Sequence, residues 1–304
     1  MLKSVAELAK LAEKVNRKKM AVVFAHDDHV IEAVYGASKQ GFIEPVLIGD
    51  QVEIEKLISK YHLQKPYQII HEMDPSKASL IAMNLVNQGQ CDIVMKGLID
   101  TKLILKEVVN SDTGIKKAHL LSHVGVVSLP TYPKVIFATD GAMNINPNVE
   151  QKIEIIEAAV ELARTLGYKE PKVGLVSAVE KVNSKIESTL HAQEIVNYYK
   201  DKDIDFLIDG PFAIDNLVSD ESVKQKGIES EVAGDCDIMI FPNLDGGNIF
   251  YKTCMFLAGG KSAGIILGAK VPIVLTSRAD TAEAKLNSII LAVVNANGLS
   301  NFSD

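Results

Sequence analysis

The residues in this sequence best suited to chemistry are a neighbouring hydroxyl and guanidinium, Ser277 and Arg278. They directly follow the apolar run 272–275, and a helical spacing of apolar residues begins soon after them. A buried strand would therefore deliver both side chains to its carboxyl end, beside a helix N-terminus, where open α/β sheets bind ligands. Free N–H groups, the helix dipole and an arginine fork suit phosphate, so the stretch predicts an anion site. An arginine that merely caps the helix or forms a salt bridge is the alternative interpretation.

A lysine, Lys96, ends another apolar run at residues 92–95. A charge that leaves a buried strand is costly unless it is paired or used, so Lys96 is a candidate phosphate ligand. An ion pair with Asp100 is the alternative. Polar or flexible residues also end most of the other apolar runs. Turns are polar in general, but the recurrence indicates a crevice lined from several strand ends.

Two further segments combine turn residues with polar side chains. Asp209 opens a sharp Gly-Pro turn, where it is either a ligand-binding carboxylate or part of a structural turn. Asn248 and Lys252 share a helix face with Tyr251, just after two glycines that let the backbone approach a ligand closely. A plain capped helix is the alternative for this second segment.

No motif in the sequence predicts a metal site. His119 and His123 have helical spacing, but the glutamate of a zinc-protease helix is missing between them. The His-Asp-Asp-His stretch at 26–29 could hold a divalent ion, although a solvated strand end is the favoured interpretation. Neither a GxGxxG fingerprint nor a GxSxG nucleophile elbow occurs in the sequence.

Composition narrows the classes of protein. The chain has 304 residues, 47% of them hydrophobic, and a net charge of −7 without blocks of like charge. This argues against nucleic acid or an anionic membrane as the main partner. The three cysteines are widely spaced, no signal peptide is evident, and no apolar run approaches a membrane span. We therefore expect a cytoplasmic protein with reduced thiols.

Short Val/Ile/Leu-rich runs alternate with amphipathic helical stretches along the chain, which predicts parallel strands covered by helices on both faces. The predicted strands are residues 21–25, 45–48, 68–71, 92–95, 124–129, 135–139, 173–177, 206–208, 238–241, 264–267 and 273–275. A link of only five residues, 130–134, joins 124–129 to 135–139, which suits antiparallel neighbours and disfavours a (β/α)₈ barrel. Doubly wound sheets, arranged in two lobes with a seam near 130–134, fit better.

Several stretches together resemble the phosphate acetyl/butyryl transferase family, and its butyryl or branched-chain branch most closely. They occur in the family's order over nearly the whole chain: 94–97 (Val-Met-Lys-Gly), 121–124 (Leu-Ser-His-Val), 139–144 (Thr-Asp-Gly-Ala-Met-Asn), 209–211 (Asp-Gly-Pro), 231–234 (Glu-Val-Ala-Gly), 246–248 (Gly-Gly-Asn), 251–252 (Tyr-Lys) and 276–280 (Thr-Ser-Arg-Ala-Asp).

The resemblance implies a reversible reaction in which acyl-CoA and phosphate give acyl phosphate and CoA. Coenzyme A is then a substrate or product, and neither a cofactor nor a metal is needed. It also implies a fold like that of isocitrate and isopropylmalate dehydrogenases, with an interlobe cleft, in a homodimer. Residues 1–133 plus 272–304 would form the first lobe, and 134–271 the second.

The family's Ser-Arg pair matches Ser277 and Arg278. The position of the acetyl branch's proposed aspartate base holds Ala284, so the neighbouring Glu283 is assigned as the base. Lys96, Asp209, Asn248 and Lys252 are assigned to phosphate and CoA binding. We expect direct transfer in a ternary complex, since no covalent nucleophile is evident.

Two other functions remain open from the sequence. A metal-dependent hydroxyacid dehydrogenase would share the fold, but it requires clustered aspartates and a nicotinamide site. A non-catalytic acyl-CoA binding protein would follow if the change at the base position had abolished turnover.

Overall fold

The structure is a computed structural model and describes residues 1–277 and 280–300. Within these residues the strands are β1 (Lys18–Val23), β2 (Ile43–Gly49), β3 (Gln68–His71), β4 (Ile93–Lys96), β5 (Ser122–Ser128), β6 (Ile136–Thr139), β7 (Lys172–Val176), β8 (Leu207–Phe212), β9 (Ile238–Ile240), β10 (Lys261–Leu267) and β11 (Ile273–Val274). Each overlaps a predicted strand.

The helices alternate with these strands. They are α1 (Leu8–Ala12), α2 (Asp28–Lys39), α3 (Gln51–Tyr61), α4 (Pro75–Asn87), α5 (Thr101–Val108), α6 (Val149–Thr165), α7 (Glu187–Tyr199), α8 (Ile214–Val218), α9 (Asp220–Lys226), α10 (Leu244–Phe256) and α11 (Ala282–Ser300). The sequence marks several of their starts, because an aspartate side chain accepts a backbone N–H at the beginning of α2, α3, α4 and α5.

The chain forms two compact units. One contains residues 1–4 and 122–261, and the other contains residues 5–121 and 262–304. We call them the middle unit and the terminal unit. The sequence predicts lobe boundaries at 133/134 and 271/272. The corresponding boundaries between the two observed units lie at 121/122 and 261/262. The predicted lobes stay a prediction, since a cluster of contacts does not test which parts fold or move independently.

The terminal unit is built on strands in the order β3-β2-β1-β4-β11-β10. All of these neighbours are parallel except β10 and β11, which run antiparallel. The central strands β1 and β4 are almost wholly buried, as their apolar sequences require.

The middle unit has the strand order β5-β6-β9-β7-β8. Strands β5 and β6 pair antiparallel, which confirms the interpretation of the short link at 130–134, and the remaining pairs are parallel. Both strands of this hairpin belong to the same compact unit. Together the two units confirm the predicted α/β class, with mainly parallel strands covered by helices.

A buried ionic network joins the amino ends of three strands in the middle unit. The Lys134 ammonium lies 2.7 Å from a carboxylate oxygen of Asp237 and 2.7 Å from one of Asp235. Asp235 also pairs with Lys172 at 2.9 Å, and Asp237 accepts the Lys172 backbone N–H at 2.9 Å. Because Lys134 and Asp237 are buried, each needs the other to offset its lost hydration.

Among residues 1–277 and 280–300, no helix has both the length and the apolar character that a bilayer crossing requires.

Candidate active site

Two parallel neighbours in the terminal unit bring predicted site residues together. Strand β4 lies beside β11 in a register that pairs Val94 with Ile273 and Met95 with Val274. The carboxyl ends of parallel neighbours meet at one edge of a sheet, so Lys96 and Ser277 emerge side by side. They line a shallow recess, whose other walls come from Asp27, Val30, Gly97, Leu98, Thr276 and Lys285.

The turn after β4 is held tightly against the end of β1. Gly97 donates its backbone N–H to the Val23 carbonyl at 2.8 Å, and Leu98 donates to the Phe24 carbonyl at 2.8 Å. A Cβ atom on Gly97 would lie 2.2 Å from the Phe24 oxygen, so glycine is required here. This close packing fixes the strand end from which Lys96 extends.

Lys96 itself is buried, with 5% of its surface exposed. Its ammonium donates to the Gly97 carbonyl at 3.3 Å. Asp100, the partner in the alternative interpretation of Lys96, caps α5 by accepting the Lys102 N–H at 2.7 Å. A buried ammonium at the wall of a recess is suited to binding an anion.

The main chain of Ser277 is anchored on both sides. Its N–H donates to the Asp280 carboxylate at 2.7 Å, and its carbonyl accepts from the Lys285 ammonium at 2.8 Å. The serine residue is exposed at the recess. Anchoring through the backbone therefore fixes the position of Ser277 at the recess.

Lys285 was missed by sequence reasoning, whereas Asp27 belongs to the stretch 26–29, which the sequence predicts at a strand end. Lys285 is 3% exposed, and burial lowers the pKa of its ammonium, an effect that Asp280 and Asp27 oppose. Its position four residues before the buried Ile289 would have placed a lysine on the buried face of α11. Asp27 caps α2 by accepting the Val30 N–H at 2.9 Å, which explains part of the His-Asp-Asp-His stretch.

The other two predicted catalytic residues are Arg278 and Glu283. Arg278 lies outside the described residues, so its role stays a prediction. Glu283 is exposed in the first turn of α11 and is not among the residues that line the recess. Its assignment as base also stays a prediction.

In the middle unit, Asn248 takes part in a close contact between two of the sequence motifs. Its amide donates to the Gly141 carbonyl at 3.0 Å. The neighbouring Asp140 carboxylate accepts the N–H groups of Ala142 and Met143 at 2.8 and 2.9 Å and so organises its own loop. A Cβ atom on Gly247 would lie 2.5 Å from the Asp140 carbonyl oxygen. Glycine therefore lets α10 approach the 139–144 loop.

This contact gives a matched pair of variants. Gly247→Ala should lower the free energy of unfolding by about 1–3 kcal/mol, because the new methyl group overlaps backbone that cannot move aside. Gly246→Ala, one residue earlier in the same helix, meets side-chain atoms no closer than 3.4 Å and should be neutral or slightly stabilising. Urea unfolding of both variants measures the difference, and equal effects would contradict the role assigned to Gly247.

Lys252 and Asp209 also belong to the middle unit. Lys252 is exposed on α10, one turn after Asn248. Asp209 is half-buried in β8, where its carboxylate accepts the N–H of Gly210 at 2.8 Å. The predicted sharp turn at 209–211 is wrong, because these residues lie within β8. Gly210 has a φ of 155°, and a Cβ there would lie 2.6 Å from that of Leu175, so this position of the strand requires glycine. The ligand-binding roles of Lys252 and Asp209 stay predictions.

All three cysteines of the chain are buried and free of disulfides. Burial raises the pKa of the Cys91 and Cys236 thiols to about 12, and it raises the pKa of Cys254 as well. These side chains are therefore protonated thiols at neutral pH and poor nucleophiles. In the part of the chain that the structure describes, no group of three or more His, Cys, Asp or Glu residues could hold a metal ion.

Comparison with known proteins gives a consistent result. The model of the family described as Phosphate acetyl/butaryl transferase matches residues 65–293. The phosphate acetyltransferase of Thermotoga maritima is 42% identical over 95% of this chain and 99% of its own length. The phosphate butyryltransferase of Clostridium acetobutylicum is 38% identical over 97% of this chain and 99% of its own length.

Comparison with solved structures gives a result similar to that of the sequence comparisons. A branched-chain phosphotransacylase from Enterococcus faecalis V583 has a TM-score of 0.83 and 32% identity, and the match covers 92% of this chain and 99% of the other. A 4-hydroxythreonine-4-phosphate dehydrogenase from Klebsiella pneumoniae has a TM-score of 0.55 at 12% identity, covering 92% and 100%. This second likeness concerns the fold alone, and it lends no support to the dehydrogenase alternative.

Proposed function

Because this chain belongs to the Phosphate acetyl/butaryl transferase family, and is therefore a phosphate acyltransferase, we propose that it converts butyryl-CoA or a branched-chain acyl-CoA, with phosphate, to acyl phosphate and CoA. The reaction is reversible and needs no cofactor, since coenzyme A is itself substrate or product. The observation that carries the proposal is the recess in which Lys96, Ser277 and Lys285 meet.

Phosphate needs orientation in this reaction more than activation, since it is already an anion at neutral pH. The two buried ammonium groups of Lys96 and Lys285 give the recess positive charge, which Asp27 offsets in part. Arg278 adds the planar fork that binds two phosphate oxygens at once. Holding a phosphate oxygen against the thioester carbonyl carbon makes the attack effectively unimolecular and so lowers its barrier.

Attack on the thioester carbon places negative charge on the carbonyl oxygen. The Ser277 hydroxyl is the proposed donor to this oxyanion, because the backbone of Ser277 is anchored by Asp280 and Lys285. Losing one such donor typically lowers the rate by on the order of 100-fold or more. In the reverse direction the CoA thiol must lose its proton, and Glu283 is the proposed acceptor.

The CoA moiety is assigned to residues of the middle unit. Lys252 is exposed and can pair with a phosphate group of CoA, while Asn248 on α10 and Asp209 in β8 supply further polar groups. A homodimer and a cytoplasmic location are part of the same proposal and come from the family resemblance. Light scattering would test the dimer.

Acyl preference is tested by thiol release from acetyl-, butyryl-, isobutyryl- and isovaleryl-CoA, with and without phosphate. We expect phosphate-dependent release that is faster with four- and five-carbon acyl groups than with acetyl. Each buried CH₂ contributes about 0.8 kcal/mol, which corresponds to about fourfold in kcat/KM. A preference for acetyl-CoA would contradict the butyryl assignment while leaving the acyltransferase activity in place. Release that does not depend on phosphate would contradict the proposed reaction.

Direct transfer predicts sequential kinetics. The three cysteines are buried thiols, so none of them is activated to form an acyl-enzyme. Double-reciprocal plots at several phosphate concentrations should intersect, and acyl-CoA alone should leave no acyl group on the protein. Parallel lines, or an acylated protein in the mass spectrum, would contradict the ternary complex.

If Lys285 binds phosphate, kcat/KM for phosphate should decline at high pH as the Lys285 ammonium loses its proton. Burial lowers the pKa of this ammonium, so it loses its proton at a lower pH than an ordinary lysine. The kcat/KM for phosphate should therefore fall as pH rises towards the usual lysine range. Lys285→Arg keeps its charge there, so the fall should move to higher pH. An unchanged limb in this variant would remove Lys285 from phosphate binding.

A further inference from the structure

A second recess lies in the middle unit and includes none of the residues assigned to acyl transfer. It lies beside the carboxyl ends of β7 and β9, and residues of α6 and α7 complete its walls. The recess opens to solvent and has room for about one water molecule. Its polar side chains are those of Lys152, Ser188 and His191. Any ligand of this recess must therefore be about the size of a single water molecule.

Lys152 is the buried cation of this recess. It lies in the first turn of α6 with 4% of its surface exposed, and its ammonium is 2.9 Å from Nδ1 of His191. Among residues 1–277 and 280–300, no carboxylate lies within 4 Å of this ammonium, and His191 is its one hydrogen-bond partner. Burial lowers its pKa to about 8, an effect that Glu187 only partly opposes. At neutral pH, Lys152 is thus a buried cation without a counter-ion in the described chain, which is a costly state.

His191 does not supply the missing negative charge. An ammonium can only donate, so Nδ1 of His191 accepts and the ring proton lies on Nε2. Burial and the neighbouring Lys152 lower the pKa of the imidazole, which keeps it neutral. Two of the three N–H groups of the Lys152 ammonium remain available to an acceptor in the recess.

The start of α7 adds to the positive potential of the recess. Ser188 lies in the first turn of this helix, and Ile186 at the N-cap position gives no side-chain hydrogen bond. The first N–H groups of a helix have no partner within the helix, and the dipole places positive charge beside them. The Ser188 hydroxyl, 2.8 Å from that of Ser177, is a further donor. A buried ammonium, a hydroxyl and an uncapped helix start therefore meet at one small recess.

We propose that this recess binds one monoatomic anion, chloride under ordinary conditions, which neutralises the Lys152 ammonium and accepts a hydrogen bond from the Ser188 hydroxyl. Chloride is only slightly larger than a water molecule, and the open side of the recess accommodates the difference. Carboxylates, sulfate and phosphate contain several heavy atoms and exceed this space. A water molecule would fit, but it would leave the buried charge uncompensated. The inference does not depend on the acyl-transfer proposal.

Thermal unfolding of the full chain gives the first test. The Tm is compared in sodium chloride and in sodium gluconate at equal ionic strength and neutral pH, because gluconate is too large for the recess. We expect a Tm higher by on the order of 5 °C when chloride is present at 100 times its Kd. The rise should saturate with chloride concentration, as binding to one site requires. Equal Tm values in the two salts, or a rise that does not saturate, would overturn the proposal.

Two matched lysine variants locate the effect. Lys152→Met keeps the length of the side chain and removes its charge, so the Tm should no longer differ between the two salts. Lys169→Met, at an exposed lysine, should keep the wild-type difference. A difference that persists unchanged in Lys152→Met would place the anion elsewhere, for example at the acyl-transfer site, and would overturn the proposal.

Wild-type crystals soaked in bromide give a measurement that does not depend on the folding of a variant. Bromide is a heavier halide with strong anomalous scattering, so it can be distinguished from water. We expect an anomalous peak in the recess, within hydrogen-bonding distance of the Lys152 ammonium and the Ser188 hydroxyl. Water alone in the recess at saturating bromide would contradict the assignment.

Discussion

Arg278→Ala is expected to lower kcat/KM for phosphate by on the order of 100-fold or more, while the KM for acyl-CoA changes by only a fewfold. The guanidinium is assigned to phosphate alone, next to a serine whose backbone is held by Asp280 and Lys285. Removing it leaves the ammonium groups of the recess to neutralise phosphate without the fork that orients it. The loss should therefore fall on phosphate use rather than on thioester binding. Steady-state kinetics with each substrate varied in turn measure both quantities.

Two further variants sharpen this experiment. Arg278→Lys keeps the charge and loses the bidentate geometry, so it should recover only part of the activity. Arg17→Ala removes an exposed arginine whose partner is Glu44, 3.3 Å away, and should leave both KM values unchanged. An Arg278→Ala enzyme with normal phosphate kinetics would remove Arg278 from the site.

Lys134→Met is expected to lower the free energy of unfolding by about 3–5 kcal/mol, the usual cost of removing one partner from a buried ion pair. Asp237 is 2% exposed and would lose the ammonium that now lies 2.7 Å from its carboxylate. Asp235 would keep Lys172 at 2.9 Å, so the penalty falls mainly on Asp237. Denaturant unfolding at neutral pH gives the measurement.

The double variant Lys134→Met/Asp237→Leu is the internal control. It replaces both charges with apolar groups, so no buried charge is left unpaired and much of the lost stability should return. Lys56→Met removes an exposed pair with Glu53 and should have little effect. If Lys134→Met were as mild as Lys56→Met, the network would not contribute as described.

The strands of this fold were predictable because each of them contains a short apolar run in the sequence. The sequence also indicated one antiparallel pair among the mainly parallel strands. The five-residue link 130–134 between two runs is too short for a parallel crossover, and β5 and β6 pair antiparallel. The antiparallel pairing of β10 and β11 follows from the same rule, since residues 268–272 are also too few for a crossover. The sequence analysis did not single out this second link, because a two-residue strand gives a weak pattern.

The site residues that directly follow a strand could be predicted from the sequence. Lys96 and Ser277 both come directly after apolar runs, and parallel pairing of those strands places the two residues at one recess. Asp27 likewise follows an apolar run, 21–25, just before α2, whereas Lys285 lies within α11, where a charged residue in an amphipathic pattern usually faces solvent. Its spacing from Ile289 places it on the buried face of α11, but only the tertiary structure shows that its ammonium reaches the Ser277 carbonyl.

Some motif residues proved to have structural contacts that the sequence did not indicate. Gly247 lies against the Asp140 carbonyl, and Asn248 donates to Gly141, although these residues are more than 100 positions apart in the chain. Such contacts depend on how loops meet, and local periodicity contains no information about that.

A crystal structure of the protein grown with saturating phosphate tests the central claim most directly. The account predicts phosphate in the terminal-unit recess, within hydrogen-bonding distance of the Ser277 hydroxyl and the Lys96 ammonium. Phosphate bound elsewhere, with this recess empty and both side chains turned away from it, would contradict the account.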